Sequence, residues 1–426
     1  MSYSLVLGCL GVAGIAVWIS AKFFRHPLSP FGVFYGIWFA ALALYNMNWI
    51  AYTPVRRPAW VLIGLNLAAF GIGWIIPYLG WNPRDFQNSD VMRHQVSADR
   101  LLKVIGICFV LGVIGLAAFF YAIHSTLGLD IYINNPPLIR AEMAAGGSIT
   151  EGIKPFNWLN VTNVALTSIY LFVLRGPRRR LVWPVLVFSL VAALAMEDRM
   201  RFFYATVWTG FILLHSIKVS AKQIVVGVTL GIMVLLAEFI AMATFMGKVA
   251  ENNAVLMQSA SIQDAALILL PPYMYATESF PALQAYMDTG PKSTHGSMTF
   301  YPIFKLLNLV DPTIEPPLIV AEFVSIPIEA NTFTWLQQFY DDFGIVGVLI
   351  GPWVVGVVSS AVYFRMLRTR EFYSTYVNGL FSFCLLLSIF GNHFTQGPAW
   401  YFLAVGLLIA IWVKNPEREA SVALGR

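Results

Sequence analysis

The stretch Asn331 to Ser360, NTFTWLQQFYDDFGIVGVLIGPWVVGVVSS, changes character halfway along. Read as a helix, Asn331, Trp335, Gln338 and Asp342 recur at spacings of four, three and four and so share one face. Beyond Gly344 the polar residues stop, and an apolar run continues to Phe364. A helix with an acidic first third and a lipid-compatible remainder is expected to leave the bilayer at a watered surface. Gly347 and Gly351 form a small-xxx-small pair suited to close approach of a second helix, and Pro352 is placed to kink the axis. The Asp342-Phe343-Gly344 triplet comes with no glycine-rich loop and no HRD motif, which excludes a kinase reading.

Composition agrees with the apolar half of this stretch. The chain has 426 residues, 58% of them hydrophobic and 12% charged, and its mean hydropathy is +0.69. Apolar runs near twenty residues recur, each long enough to cross a hydrocarbon core of about 30 Å. The class is therefore all-α and polytopic in the membrane. A net charge of +5 gives no nucleic-acid signal. Cys9, Cys108 and Cys384 each sit inside an apolar run without a CxxC partner, so neither a disulfide framework nor a thiolate metal site is expected. The first apolar run has no basic residue before it, unlike a cleaved leader, and is read as a span.

Eleven spans are read, at about 4–24, 31–51, 59–79, 101–123, 157–174, 181–196, 202–217, 223–246, 338–364, 376–394 and 398–414. With the carboxyl terminus cytoplasmic, most of the 27 lysines and arginines fall on the cytoplasmic side, as the distribution of basic residues demands. The short loops RGPRRR at 175–180 and RMLRTR at 365–370 decide the orientation, and Arg56 and Arg57 are the exception. Two external segments stand out within this single membrane domain, residues 125–156 and residues 247–331. The second is too long for a plain connection. In it Tyr273, Tyr275, Phe280 and Tyr286 suit the bilayer interface, and Phe280, Leu283 and Met287 share a helical face, so a short helix lying on the membrane is expected there.

The charged residues at the external side are the candidates for chemistry. Glu197-Asp198-Arg199-Met200-Arg201 cannot sit in lipid. It is read either as a hairpin solvated by water or as a place where Arg199 and Arg201 bind an anion through paired guanidinium donors. Arg140 and Lys305 are further cations on that side. Asp342, near the membrane surface, is the candidate base, since burial raises a carboxyl toward a useful range. Asp341 points elsewhere on the helix and is expected to be solvated. Glu278 and Glu329 are second choices, and His295 and His393 are weighed against a structural role. Adjacent carboxylates on a helix diverge and no third ligand is specified, so no catalytic metal and no cofactor is expected.

The pattern N-x-x-T-x-L-x-x-x-Y-x-D-F-G-x-x-G, carried by Asn331, Thr334, Leu336, Tyr340, Asp342, Phe343, Gly344 and Gly347, resembles that of the bacterial oligosaccharide repeat-unit polymerases, the Wzy-type O-antigen polymerases. Tyr275-Ala-Thr-Glu-Ser-Phe280, Gly296-Ser-Met-Thr-Phe300 and Pro302 are similar to the segment that precedes this helix in that family. Asp198-Arg199 and Pro27-Leu-Ser-Pro30 also fit, and the specific part covers residues 190–360. The resemblance implies a GT-C-like helical fold, like that of the O-antigen ligases. It implies glycosyl transfer between undecaprenyl diphosphate-linked oligosaccharides at the external face of a bacterial inner membrane, without a cofactor, and a Wzz-type chain-length regulator as partner. Asp342, Arg199 and Arg140 are then the catalytic candidates. Arg201, Lys305, Glu278, His295, Asn331, Gln338 and Tyr340 are the binding ones. A flippase or transporter of the same lipid-linked substrates is the competing class, although no repeated halves are evident; a ligase is the nearer enzyme alternative.

The orientation is open to direct measurement. In a cysteine-free background, Arg178→Cys and Arg368→Cys should be shielded from an impermeant thiol reagent in intact cells, whereas Lys292→Cys should be labelled. Labelling at 178 with protection at 292 would invert the topology.

Overall fold

The computed structural model describes residues 3–81, 92, 95–135, 138–139, 154–196, 199–245, 258, 260, 269–290, 292–317 and 322–415. Among them six helices are long and apolar enough to cross a membrane: Tyr3–Phe23, Arg57–Leu79, Ala98–Thr126, Pro155–Leu174, Leu336–Thr369 and Phe372–Ile389. Pro30–Asn46 and Gly397–Val413 are shorter apolar helices. The protein is thus an all-α, multi-pass membrane protein. It divides into two compact units, the first made of Met1–Asp85, Ala243–Arg365 and Phe381–Trp400, the second of Phe86–Met242, Met366–Leu380 and Tyr401–Arg426.

The core of the first unit is aromatic. Phe34, Trp38, Phe70, Trp74 and Trp335 are all fully buried, and Phe34 stacks on Phe70 at 3.9 Å between centroids. Two of the indole donors find partners inside: Trp38 Nε1 donates to Ser388 Oγ at 2.8 Å and Trp335 Nε1 to Asn66 Oδ1 at 3.0 Å. One close helix crossing is reciprocal. A Cβ on Gly73 would run into the Trp353 carbonyl, and one on Gly356 into the Phe70 carbonyl. In lipid, helices gain most from each other where small residues let the backbones meet. Gly73 and Gly356 fill that role here.

Gly347 and Gly351 do not receive a separate helix, as the sequence led one to expect. Both abut Phe339, Gly347 its carbonyl and Gly351 its ring. A residue twelve positions upstream could not reach Gly351 in a straight helix, where the rise is about 1.5 Å per residue. The chain therefore doubles back between them. The reversal is at Gly344, whose φ of 60° and ψ of −142° are non-helical; such a conformation is close to glycine-only. Residues 336–343 form a short helix folded against the start of the long one, and the span proper begins at 345. The single face shared by Asn331, Trp335, Gln338 and Asp342 is corrected accordingly, because helix starts only at Leu336. The break falls at Gly344 and not at Pro352, the only proline inside this helix.

The expected short helix is present, but it does not lie on a surface. Residues Ser279–Met287 are helical, but Phe280 and Leu283 are fully buried, with Phe280 packed against Trp38 and Tyr45. Tyr273 and Tyr286 are buried too, and they join Ile50, Leu270, Ala282, Ile326, Ile328 and Phe333 in one cluster. Tyr273 Oη donates to the Leu44 carbonyl at 3.0 Å, so it is satisfied by protein and not by an interface. A small antiparallel pair, Val324–Ser325 with Glu329–Ala330, closes over this cluster. Arg56, the exception in the charge distribution, pairs with Asp288 of the same unit.

In the second unit, Lys154–Ser168 continues as a π-helix over Ile169–Leu174, and Arg199–Phe203 continues as another over Tyr204–Trp208. Asn160 Nδ2 donates to the Gly112 carbonyl at 3.0 Å, and Gly112 and Gly115 leave room for Asn160 and Asn157. Trp158, Tyr204, Trp208 and Phe402 pack as an aromatic group. Trp208 Nε1 donates to the Tyr376 carbonyl at 3.2 Å. The expected loop 125–156 is helical over Leu129–Asn134; residues 140–153 are outside the described residues.

If Gly344 carries the reversal, Gly344→Ala should destabilise the purified protein by about 1–3 kcal/mol, the cost of a side chain in a strained backbone. Gly64→Ala, in a helix with open space at the Cβ position, should leave the thermal midpoint unchanged or raise it. Equal midpoints for the two variants would remove the reversal's special role.

Candidate functional site

Four backbone and side-chain donors converge on one carboxylate in the first unit. Asp342 Oδ1 accepts from Thr294 Oγ1 at 2.6 Å, Gly296 N at 3.0 Å and Met298 N at 3.1 Å, and its Oδ2 accepts from Thr299 N at 2.6 Å. The loop can offer so many amides because Ser293, His295 and Gly296 all have positive φ. Left-handed residues among ordinary ones turn successive N–H groups inward and make a nest for an anion. Gly296, at φ 92°, is also pressed against Phe343 and Phe300. A further bond runs from Thr294 N to the Asp341 carbonyl at 3.0 Å. Asp342 is therefore an anchor for residues 294–299, with both oxygens engaged.

Asp341 is corrected from solvated to buried. Its oxygens accept Tyr286 Oη at 2.8 and 2.7 Å, and Oδ2 also accepts Gln337 Nε2 at 2.8 Å. Burial holds the Tyr286 phenol above the usual tyrosine range, so it remains a donor. The two neighbouring acids point to different partners, and adjacent positions on a helix lie about 100° apart. Gln338 accepts from Thr395 Oγ1 in the broken segment after Ile389, so the span expected over 376–394 ends as helix before that segment. There His393 is buried and bonded to Gln396 at 3.0 Å, and burial pushes its imidazole down to about 4.

Glu278, only 4% exposed, joins the helices Leu270–Thr277 and Ser279–Met287. Burial raises its carboxyl to about 7, against the opposing effect of a hydrogen bond with Thr332. Proton transfer is fastest when a group's pKa lies near the working pH. Glu278 meets that condition. Asn331 and Tyr340 are half-buried at the two ends of this region. His295 is exposed on the loop that Asp342 holds, Lys305 is exposed on the helix Tyr301–Val310, and Glu329 is exposed on its short strand.

The arginines belong to the second unit. Arg201 is buried, its guanidinium 4.9 Å above the centre of the Trp158 ring and its Nη1 against Met196 Sδ. Stacking on an aromatic face suits a planar cation removed from water. Arg199 opens the helix Arg199–Phe203, but its side chain lies outside the described residues, as does Arg140 altogether. A surface hollow lined by Arg175 to Leu181 contains none of these residues. Among the described residues no three acidic, histidine or cysteine side chains gather as a metal site requires. Sequence reading misses Thr294 and Trp158 and gives Tyr286 to the bilayer interface; the roles of all three depend on partners far along the chain. Comparison with protein-family models, curated proteins and solved structures finds no match.

The shifted carboxyl has a sign that can be checked. Glu278 prefers its protonated form in the fold, so its contribution to stability is fully present below its ordinary value of 4.5 and is lost as pH rises through about 7. The loss is on the order of 3 kcal/mol. Glu278→Gln should therefore raise the thermal midpoint relative to the parent protein at pH 8 and leave it similar at pH 4.5. A parent–variant difference independent of pH would mean that Glu278 is not held near 7.

Proposed function

We propose that the protein polymerises lipid-linked oligosaccharide repeat units by glycosyl transfer. Its substrates would be undecaprenyl diphosphate-linked glycans at the external face of a bacterial inner membrane. The observation that carries this reading is the bonding of Asp342 to residues 294–299. The two segments that resemble the Wzy-type polymerases, Gly296–Phe300 and the Asn331–Gly347 pattern, are separate in the chain and meet at this carboxylate. Residues of the pattern have identifiable work there: Thr334 Oγ1 accepts from Leu336 N, Asp342 anchors, Gly344 reverses the chain and Gly347 admits Phe339. The reading includes a GT-C-like arrangement of about eleven spans, a cytoplasmic carboxyl terminus and a Wzz-type regulator as partner.

In this reaction the acceptor hydroxyl attacks the donor's anomeric carbon. A new C–O bond forms, the bond from that carbon to the diphosphate oxygen breaks, and undecaprenyl diphosphate leaves with the electron pair. The acceptor proton passes to a carboxylate. The sequence favours Asp342, but its oxygens are occupied by loop donors. Glu278, held near neutrality, is the better acceptor. Arg199, Arg140 and Arg201 stay, on charge and paired donors alone, the candidates for the leaving diphosphate, toward which such donors act most strongly in the transition state.

Removing one such donor costs about a hundred- to thousandfold in rate. Arg199→Ala and Glu278→Gln should each leave surface polysaccharide with single repeat units, at ordinary protein levels in the membrane. Deleting the gene separates the classes: loss of a polymerase leaves single units attached, whereas loss of a flippase leaves none. Normal chain length on deletion would end the proposal.

A further inference from the structure

The helix Tyr301–Val310 has its apolar face outward. Ile303, Leu306, Leu307 and Val310 recur at the spacing of one helical stripe, and all four are exposed, Leu306 by 63% and Val310 by 86%. Its other side carries Tyr301, Lys305 and Asn308, with Asn308 Nδ2 tied to the Ile314 carbonyl at 2.9 Å. An exposed apolar stripe of this kind on a protein marks a surface that something else covers.

Continuity says what covers it. Phe300, just before the helix, is exposed and lies beside Gly296, which also abuts Phe343. From Phe343 the exposed apolar surface runs on through Ile345, Val346 and Ile350, along the face of a helix that spans the bilayer. The loop leading into Tyr301–Val310 is bonded to Asp342 at the start of that span, so it cannot drift from the membrane surface. We infer that Tyr301–Val310 is seated in the bilayer interface, with Ile303, Leu306, Leu307 and Val310 among the acyl chains and Lys305 at the level of the lipid phosphates. A short helix with an apolar stripe and a cation on its polar side has the form of an in-plane membrane helix. This assignment stands on exposure and continuity alone and does not depend on the reaction proposed above.

The test is spin labelling of the full chain reconstituted in vesicles of phosphatidylethanolamine and phosphatidylglycerol. Labels would be attached one at a time at Leu306→Cys, Val310→Cys and Lys305→Cys in the cysteine-free protein. Labels at 306 and 310 should relax more with oxygen, which partitions into lipid, than with a water-soluble nickel chelate; the label at 305 should show the reverse. Nickel access at all three positions would mean a solvated helix and overturn the assignment. Protection of 306 and 310 from both reagents would also overturn it, since a protein partner and not lipid would then be the cover.

Discussion

A carboxylate with four donors on its two oxygens is hard to displace, because each donor would be left without a partner in a largely buried place. The polar part of the first unit is built around that fact. Asp342 fixes residues 294–299, and the reversal at Gly344 delivers Asp342 to them. One residue earlier, Asp341 fixes Tyr286 and through it the helix Ser279–Met287. Two consecutive acids thus hold two different segments of the chain before it to the start of one membrane helix. Neither bond would form if the chain ran straight from Leu336 into the span.

The reversal also explains why the glycines are where they are. Gly344 supplies a backbone conformation that a side chain would oppose, and Gly347 and Gly351 clear a track for Phe339 as the short helix folds back. In a lipid environment this is economical. In the folded-back helix Asp341 bonds to Tyr286 and to Gln337 of the same helix, Gln338 bonds to Thr395, and these polar groups need not face hydrocarbon.

How much of this was legible can be judged residue by residue. The long apolar helices were readable because hydropathy over twenty residues is a local property, and 4–24 and 59–79 agree with Tyr3–Phe23 and Arg57–Leu79 within two residues. The reversal was not. Helical periodicity reads through a glycine without registering its φ, so Asn331 to Ser360 reads as one helix with its bend at Pro352. Asp341 was misjudged for a similar reason: its partner Tyr286 is 55 residues away, and nothing local announces the pairing. The stripe Phe280, Leu283, Met287 posed a different problem. A core-facing and a lipid-facing helix have the same apolar spacing, so the pattern located the helix but could not say which surface it met.

That ambiguity is resolved by what lies opposite the stripe. Ser279–Met287 has Trp38 and Tyr45 against Phe280 and protein partners for its polar groups, including Gln284, which accepts from Arg56 N at 3.1 Å. Glu278 sits at the head of this helix, and its raised pKa follows from the same burial. An acid placed in so well packed a region costs stability whenever it ionises. A solvated glutamate at this junction would avoid that cost, and glutamine would retain most of the shape. The position therefore combines a penalty in the fold with a proton affinity near neutrality, and a perturbed carboxyl of this kind marks a candidate for function more than for architecture. Asp342 presents the opposite case: its hydrogen bonds give it a complete structural explanation, and chemistry is not needed to account for it.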